Sequence, residues 1–263
     1  MNSEVRRLSL STGITVPCLV QGDASAQPVL LLHAWGESWR SFDRLIPLLN
    51  GFRILAPDLR GHGDADKPPG GYSLLEQAGE VAAILDALGL ESAALVGSSS
   101  GGYVAQQVAA SHAARVDALV LVGSPLTLAG RPPLADEVEA LADPVDEAWV
   151  RQSLAWFPLH LPVPGWFLED RIRDGMKMPA AAWKASLEGL YRATPPTDAG
   201  RVNAPTLILW GEQDGFLPRR DQEILAARIP DATLTVYPGV GHLVLWECPE
   251  FVAEDTRAFL SSL

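Results

Sequence analysis

The stretch ALVGSSSGG, residues 94–102, decides how this chain is read. The apolar run AALV has the character of a buried strand, and GGYVAQQVAAS, which follows, has the spacing of a helix, so three adjacent serines fall on a strand-to-helix turn. The glycines set the frame. The spacing G-x-S-x-G is met only as Gly97-Ser98-Ser99-Ser100-Gly101, which makes Ser99 the central residue. A side chain held on so sharp a turn needs neighbours two residues away that carry no side chain to collide with it. Ser98 and Ser100 are then small, turn-compatible residues whose hydroxyls serve local hydrogen bonds.

Outward from that turn, PVLLLH (28–33), FRILAP (52–57), AALVG (93–97), DALVLVG (117–123) and PTLILWG (205–211) read as strands buried on both faces, and ATLTVYP (232–238) as the last strand. Residues 4–11 and 14–21, joined by a Ser-Thr-Gly turn, suggest an antiparallel hairpin at the sheet edge. The clearest helix is YSLLEQAGEVAAILDALGL (72–90), with Leu74, Leu75, Ala78, Val81, Ala82, Leu85 and Leu88 as its apolar stripe. Ser73 and Glu76 have the spacing of a capping box, and Gly89 is placed to stop the helix. Strands alternating with helices imply an α/β fold, a mostly parallel twisted sheet of about eight strands with helices on both faces. The rhythm breaks over residues 124–203, where no convincing buried strand occurs. This segment is expected to be a helical lid inserted into a core domain formed by residues 1–123 and 204–263. It holds Trp149, Trp156, Trp166 and Trp183, and it would lie over the carboxyl ends of the strands, where ligands bind in such sheets.

With 20 basic against 32 acidic residues the chain carries a net charge of −12, which would repel a phosphate backbone, so nucleic acid is an unsuitable partner. Cys18 and Cys248 have neither a disulfide framework nor a metal-ligand spacing, and a reducing compartment is the simpler reading. No signal peptide and no apolar run long enough to span a bilayer is apparent, so the expectation is a cytoplasmic protein without membrane attachment, a monomer or homodimer. The acidic cluster from Asp136 to Glu147 reads as a solvated helix face.

Besides GSSSG, the chain contains HAWG (33–36), DLRGHGDADKP (58–68), LILWGEQDGFLP (207–218) and GVGHLVLWECPEF (239–251). In order and spacing these resemble the α/β-hydrolase superfamily, in particular its lid-bearing serine esterases and lactonases, over nearly the whole length. The resemblance implies a Ser-Asp-His triad in that chain order. Ser99 is the candidate nucleophile. His242, in a glycine-flanked loop after the last strand, is the candidate general base and acid. Asp214, in the turn after TLILW, is the candidate acid that orients the histidine, with Glu212 as a nearby rival. In some relatives the acid follows the preceding strand, but here that position reads VGSPLT and offers no carboxylate. Of the other histidines, His33 and His62 lie in turn motifs, His112 ends a helix, and His160 falls in the insertion, facing substrate only if the lid turns it inward.

The backbone amides of Trp35 and Ser100 are implied as the oxyanion donors, and Trp35, Trp156, Trp166 and Leu243 are candidates for the pocket lining. Three departures from the family stand out. Ala34 replaces a usual glycine, which predicts strain of about 1 kcal/mol or more if that position has φ > 0. Ser98 and Ser100 stand where many relatives carry His and Met, and GHGDADKP replaces a commoner RSDKP. The implied function is hydrolysis of a carboxylic ester or lactone of a small, rather apolar substrate through an acyl-enzyme, with no cofactor and no metal. Carbon-carbon bond hydrolysis and perhydrolysis keep the same triad and stay open as alternatives. A small-molecule receptor on the same fold, with little turnover, is the alternative of another class.

Overall fold

Strands β1 (Ser3–Ser9), β2 (Thr15–Gln21), β3 (Pro28–Leu32), β4 (Arg53–Pro57), β5 (Ala93–Ser98), β6 (Val116–Val122), β7 (Thr206–Gly211) and β8 (Ala232–Tyr237) form one sheet in the order β1-β2-β4-β3-β5-β6-β7-β8. The source is a computed structural model that describes residues 3–263. The hairpin β1-β2 is antiparallel and joins the sheet antiparallel to β4, whereas β4, β3, β5, β6, β7 and β8 run parallel. Side chains alternate between the two faces. Leu30 and Leu32 of β3, Leu95 of β5, Leu119 and Leu121 of β6 and Ile208 of β7 enter one apolar core. Their neighbours Val29, Leu31, Ala94, Val96, Val120, Leu207 and Leu209 enter a second core on the opposite face. Because both faces are covered, the strands appear in the sequence as unbroken apolar runs and not as an alternation.

Helices α1 (Leu74–Ala87) and α2 (Ser100–Ser111) cover the first face, with Leu74, Ala78, Val81, Val104 and Val108 in its core. The C-terminal helix, Pro249–Leu260, covers the second through Val252, Ala253 and Leu260. The capping box at the start of α1 is complete: Ser73 Oγ accepts from Glu76 N at 3.3 Å, and Glu76 Oε2 accepts from Ser73 N at 3.1 Å. Gly89 follows the helix at φ +67°. Leu75 departs from the expected stripe and is 61% exposed, since it lies about 100° round the helix from Leu74. Cys18 and Cys248 are buried free thiols, both pushed up to about 12 by burial.

Between β6 and β7 the described residues form no strand. They form α3 (Ala135–Glu139), α4 (Glu147–Ser153), α5 (Gly165–Met176), α6 (Ala180–Tyr191) and α7 (Pro196–Ala199). Val138, Val150, Ile172, Trp183 and Leu187 pack into a core of this segment's own, which reaches the rest of the molecule at Tyr72 and Trp35. The acidic residues from Asp136 to Glu147 are exposed. Some pair with arginines, Asp136 and Glu139 with Arg131 and Glu147 with Arg151, contacts that at the surface contribute little.

Candidate active site

Strand β5 ends at Ser98 and α2 begins at Ser100, so Ser99 alone makes the turn. It does so at φ 47°, ψ −118°, and it is the only described residue other than glycine with positive φ. Such a conformation stores about 1–3 kcal/mol, supplied by the packing around it. The flanking glycines permit that packing in a different way from the one the spacing suggests. A Cβ on Gly97 would stand 2.4 Å from Gly102 Cα, and one on Gly101 would stand 2.1 Å from the Leu32 carbonyl oxygen. They let the helix and strand backbones close on each other on either side of Ser99.

Ser99 Oγ lies 3.1 Å from His242 Nε2, and His242 Nδ1 lies 2.8 Å from Asp214 Oδ2. The other oxygen of Asp214, Oδ1, accepts the backbone N–H groups of Phe216 and Leu217, each at 2.8 Å. Asp214 and His242 are buried, whereas Glu212 is exposed. The His242 loop is held from behind by the buried Glu247, whose Oε2 accepts from the N–H groups of Gly241, His160 and Leu161. His160 itself is exposed and does not line the cavity beside Ser99. Two aromatic rings that the sequence did not single out flank the imidazole, Phe157 at 4.9 Å and Phe216 at 5.2 Å between centroids.

The amide of Ser100 is the first of α2, where a helix leaves its N–H groups without intrahelical partners. The Trp35 amide stands opposite and donates to Ser100 Oγ at 2.7 Å. The Ser100 hydroxyl therefore ties the loop after β3 to the turn at Ser99. Ala34 is not strained: the positive φ in this loop, +80°, belongs to Gly36, over which the Trp183 ring packs so closely that a Cβ would meet it at 2.5 Å. The Trp35 indole reaches into the helical segment, its Nε1 donating to Ser186 Oγ at 3.0 Å. His33, behind this loop, is buried and well below its ordinary pKa because of that burial. Its Nε2 accepts the Leu59 N–H, so the proton sits on Nδ1, facing the Ala34 carbonyl.

Above Ser99 the segment between β6 and β7 closes a cavity of about 110 Å³. Trp35, Trp156 and Leu243 line it, together with Trp183, Leu154 and Leu187. Trp35 stacks on Trp156 with centroids 6.3 Å apart and meets Trp183 edge-on at 4.7 Å. Trp166 is a correction to the expected lining: it is 55% exposed, packs against Phe167 and lies outside the cavity. Glu37 and Arg171, both buried, line the cavity too, although nothing in their sequence context marks them. Among the described residues no group of three or more His, Cys, Asp or Glu side chains is placed to hold a metal ion. No described helix is long and apolar enough to cross a membrane.

The model of the alpha/beta hydrolase fold family matches residues 27–249. The chain belongs to the alpha/beta hydrolase fold family. It is 27% identical to Lipase 3 of Moraxella sp. (strain TA144), over 99% of this chain and 85% of the lipase. It is 29% identical to a non-heme chloroperoxidase of Streptomyces lividans, over 92% of this chain and 94% of that protein. The crystal structure of an esterase from Rhodococcus sp. ECU1013 superposes with a TM-score of 0.85 at 26% identity, covering 98% of this chain and 99% of the esterase. The hydrolase fold thus extends over the hairpin, the sheet and the helical segment alike.

Proposed function

We propose that this protein hydrolyses a carboxylic ester or lactone of a small, rather apolar substrate through an acyl-enzyme on Ser99. The observation that carries the reading is the unbroken hydrogen-bonded line from Ser99 Oγ through His242 to Asp214 Oδ2, anchored on a strained turn. His242 Nε2 takes the hydroxyl proton as Oγ bonds to the carbonyl carbon, and Asp214 stabilises the imidazolium through Nδ1–H. The negative charge on the carbonyl oxygen meets the N–H groups of Ser100 and Trp35, and the latter turns from Ser100 Oγ to the oxyanion. The imidazolium returns its proton to the leaving alkoxide. A water, deprotonated by His242, then attacks the acyl carbon, and Ser99 leaves with the proton restored.

The tryptophans and leucines of the cavity wall favour an apolar acyl or alcohol group. Similarity to the Streptomyces lividans chloroperoxidase supports a second use of the same acyl-enzyme, its capture by hydrogen peroxide in place of water. Labelling with a fluorophosphonate, followed by steady-state turnover of short p-nitrophenyl esters with and without peroxide, tests both. Labelling with turnover supports the hydrolase. Labelling without turnover points to a receptor, and absence of both removes the proposal.

A further inference from the structure

Arg171 has no part in the triad, yet its side chain is 2% exposed and lines the same cavity as Ser99. Only Nη2 is paired, donating to Asp174 Oδ2 at 3.1 Å, and its Nε and Nη1 have no hydrogen-bond partner. Another wall residue, Trp246, also buries an indole Nε1 without a partner. Buried donors left unpaired are uncommon, and a guanidinium removed from water costs several kcal/mol unless its charge and hydrogen bonds are met.

Asp174 meets the charge, but the protein's own acids leave Nε and Nη1 unpaired. Asp174 is already engaged elsewhere: Oδ2 also accepts from Ser38 Oγ at 2.5 Å, and Oδ1 faces Lys177 Nζ at 3.2 Å. Glu37, the acid that does line this wall, turns toward the Ala34 N–H at 3.4 Å, and burial raises its carboxyl above the ordinary value although Arg171 opposes that rise. Meanwhile Arg171 is fixed in place, its guanidinium 4.7 Å over the Phe167 ring.

We infer that this wall is the seat of a substrate carboxylate: the molecule hydrolysed at Ser99 carries, beside its apolar part, a free acid that accepts from Arg171 and from Trp246 Nε1. The tryptophan-lined side then receives the apolar part, so the substrate is a half-ester or lactone acid and not a simple alkyl ester. That the ligand is a substrate rests on the proposed hydrolase activity, but the binding of an acid does not.

The test is calorimetric titration of Ser99→Ala protein with monomethyl glutarate and with methyl valerate, which matches it in length and lacks the carboxylate. The acid is expected to bind at least about tenfold tighter, as charge-assisted hydrogen bonds to a preorganised guanidinium require. Arg171→Met in the same background abolishes that difference, and Glu37→Gln keeps it. Equal binding of the two ligands overturns the inference, and so does an Arg171→Met protein that loses both equally. Should Arg171→Met not fold, the comparison of the two ligands on the otherwise unaltered cavity still decides. Failure of the unmodified protein to turn over both p-nitrophenyl esters and monomethyl glutarate, with the acid still bound the tighter, refutes the hydrolase reading alone.

Discussion

Replacing Asp214 with asparagine should separate stability from activity in a way that the hydrogen bonds around it dictate. Asp214 Oδ1 accepts two backbone N–H groups, Phe216 and Leu217, and Oδ2 faces His242 Nδ1. An asparagine keeps those two bonds only by placing its oxygen toward the loop, which turns its NH₂ group toward Nδ1. The imidazole must then accept at Nδ1 and carry its proton on Nε2, where it can no longer take one from Ser99 Oγ. The loss expected for the wrong tautomer is about 10⁴-fold in kcat, or about 5 kcal/mol of transition-state stabilisation. Stability changes by less than about 1 kcal/mol, because both loop amides stay paired. Asp214→Ala reverses the pattern: it strands two amides, costing about 2–5 kcal/mol of stability, yet leaves His242 free to adopt either tautomer. Kinetics with p-nitrophenyl acetate and urea unfolding of both variants read the two quantities. The expected order is Asn above Ala in stability and no better than Ala in kcat. An asparagine variant within tenfold of the unmodified enzyme would refute the reasoning.

Three further outcomes follow from the same site and its supports. Ser99→Ala should lower kcat/KM by at least about 10⁴-fold, whereas Ser98→Ala and Ser100→Ala stay within about tenfold, the scale of one hydrogen bond such as that from Trp35 to Ser100 Oγ; a reversed ranking in p-nitrophenyl ester kinetics moves the nucleophile. Gly101→Ala, whose Cβ would meet the Leu32 carbonyl oxygen at 2.1 Å, should cost about 3 kcal/mol or more. Gly165→Ala, with nothing within 4 Å, should be neutral or stabilising, and equal melting temperatures for the two would contradict the account. Burial lowers the His62 imidazole to about 4. The unfolded chain takes up that proton near pH 6.5 and the folded one does not until about 4, so stability should fall by about 3 kcal/mol as pH drops across this window and change no further below it. His62→Gln should remove that part of the slope in urea melts, and an unchanged slope would show that the imidazole does not titrate as described.

The sheet was legible because strands buried on two faces leave continuous apolar runs, and the elbow because two glycines stand where backbones nearly touch. Ser99, Asp214 and His242 were legible through short motifs in a fixed order, and the structure places their side chains within hydrogen-bonding reach of one another. What escaped the sequence depends on how the segment between β6 and β7 packs. An arginine or a tryptophan on an amphipathic helix looks alike whether it faces water or a cavity, so the sequence marks neither the burial of Arg171 nor the exposure of Trp166. Phe157 and Phe216 lie 59 positions apart in sequence and meet only over His242. Ala34 read as a strained departure because the sequence does not tell which residue of HAWG takes the positive φ, and that residue is Gly36.

The most direct test of the account is to trap the covalent intermediate. Acid quenching during turnover of p-nitrophenyl acetate, proteolysis and fragment mass spectrometry of the GSSSGG peptide should place one acetyl group on Ser99, with Ser98 and Ser100 unmodified. Acetyl on either neighbouring serine, or sustained turnover with no acyl group on this peptide, would contradict it.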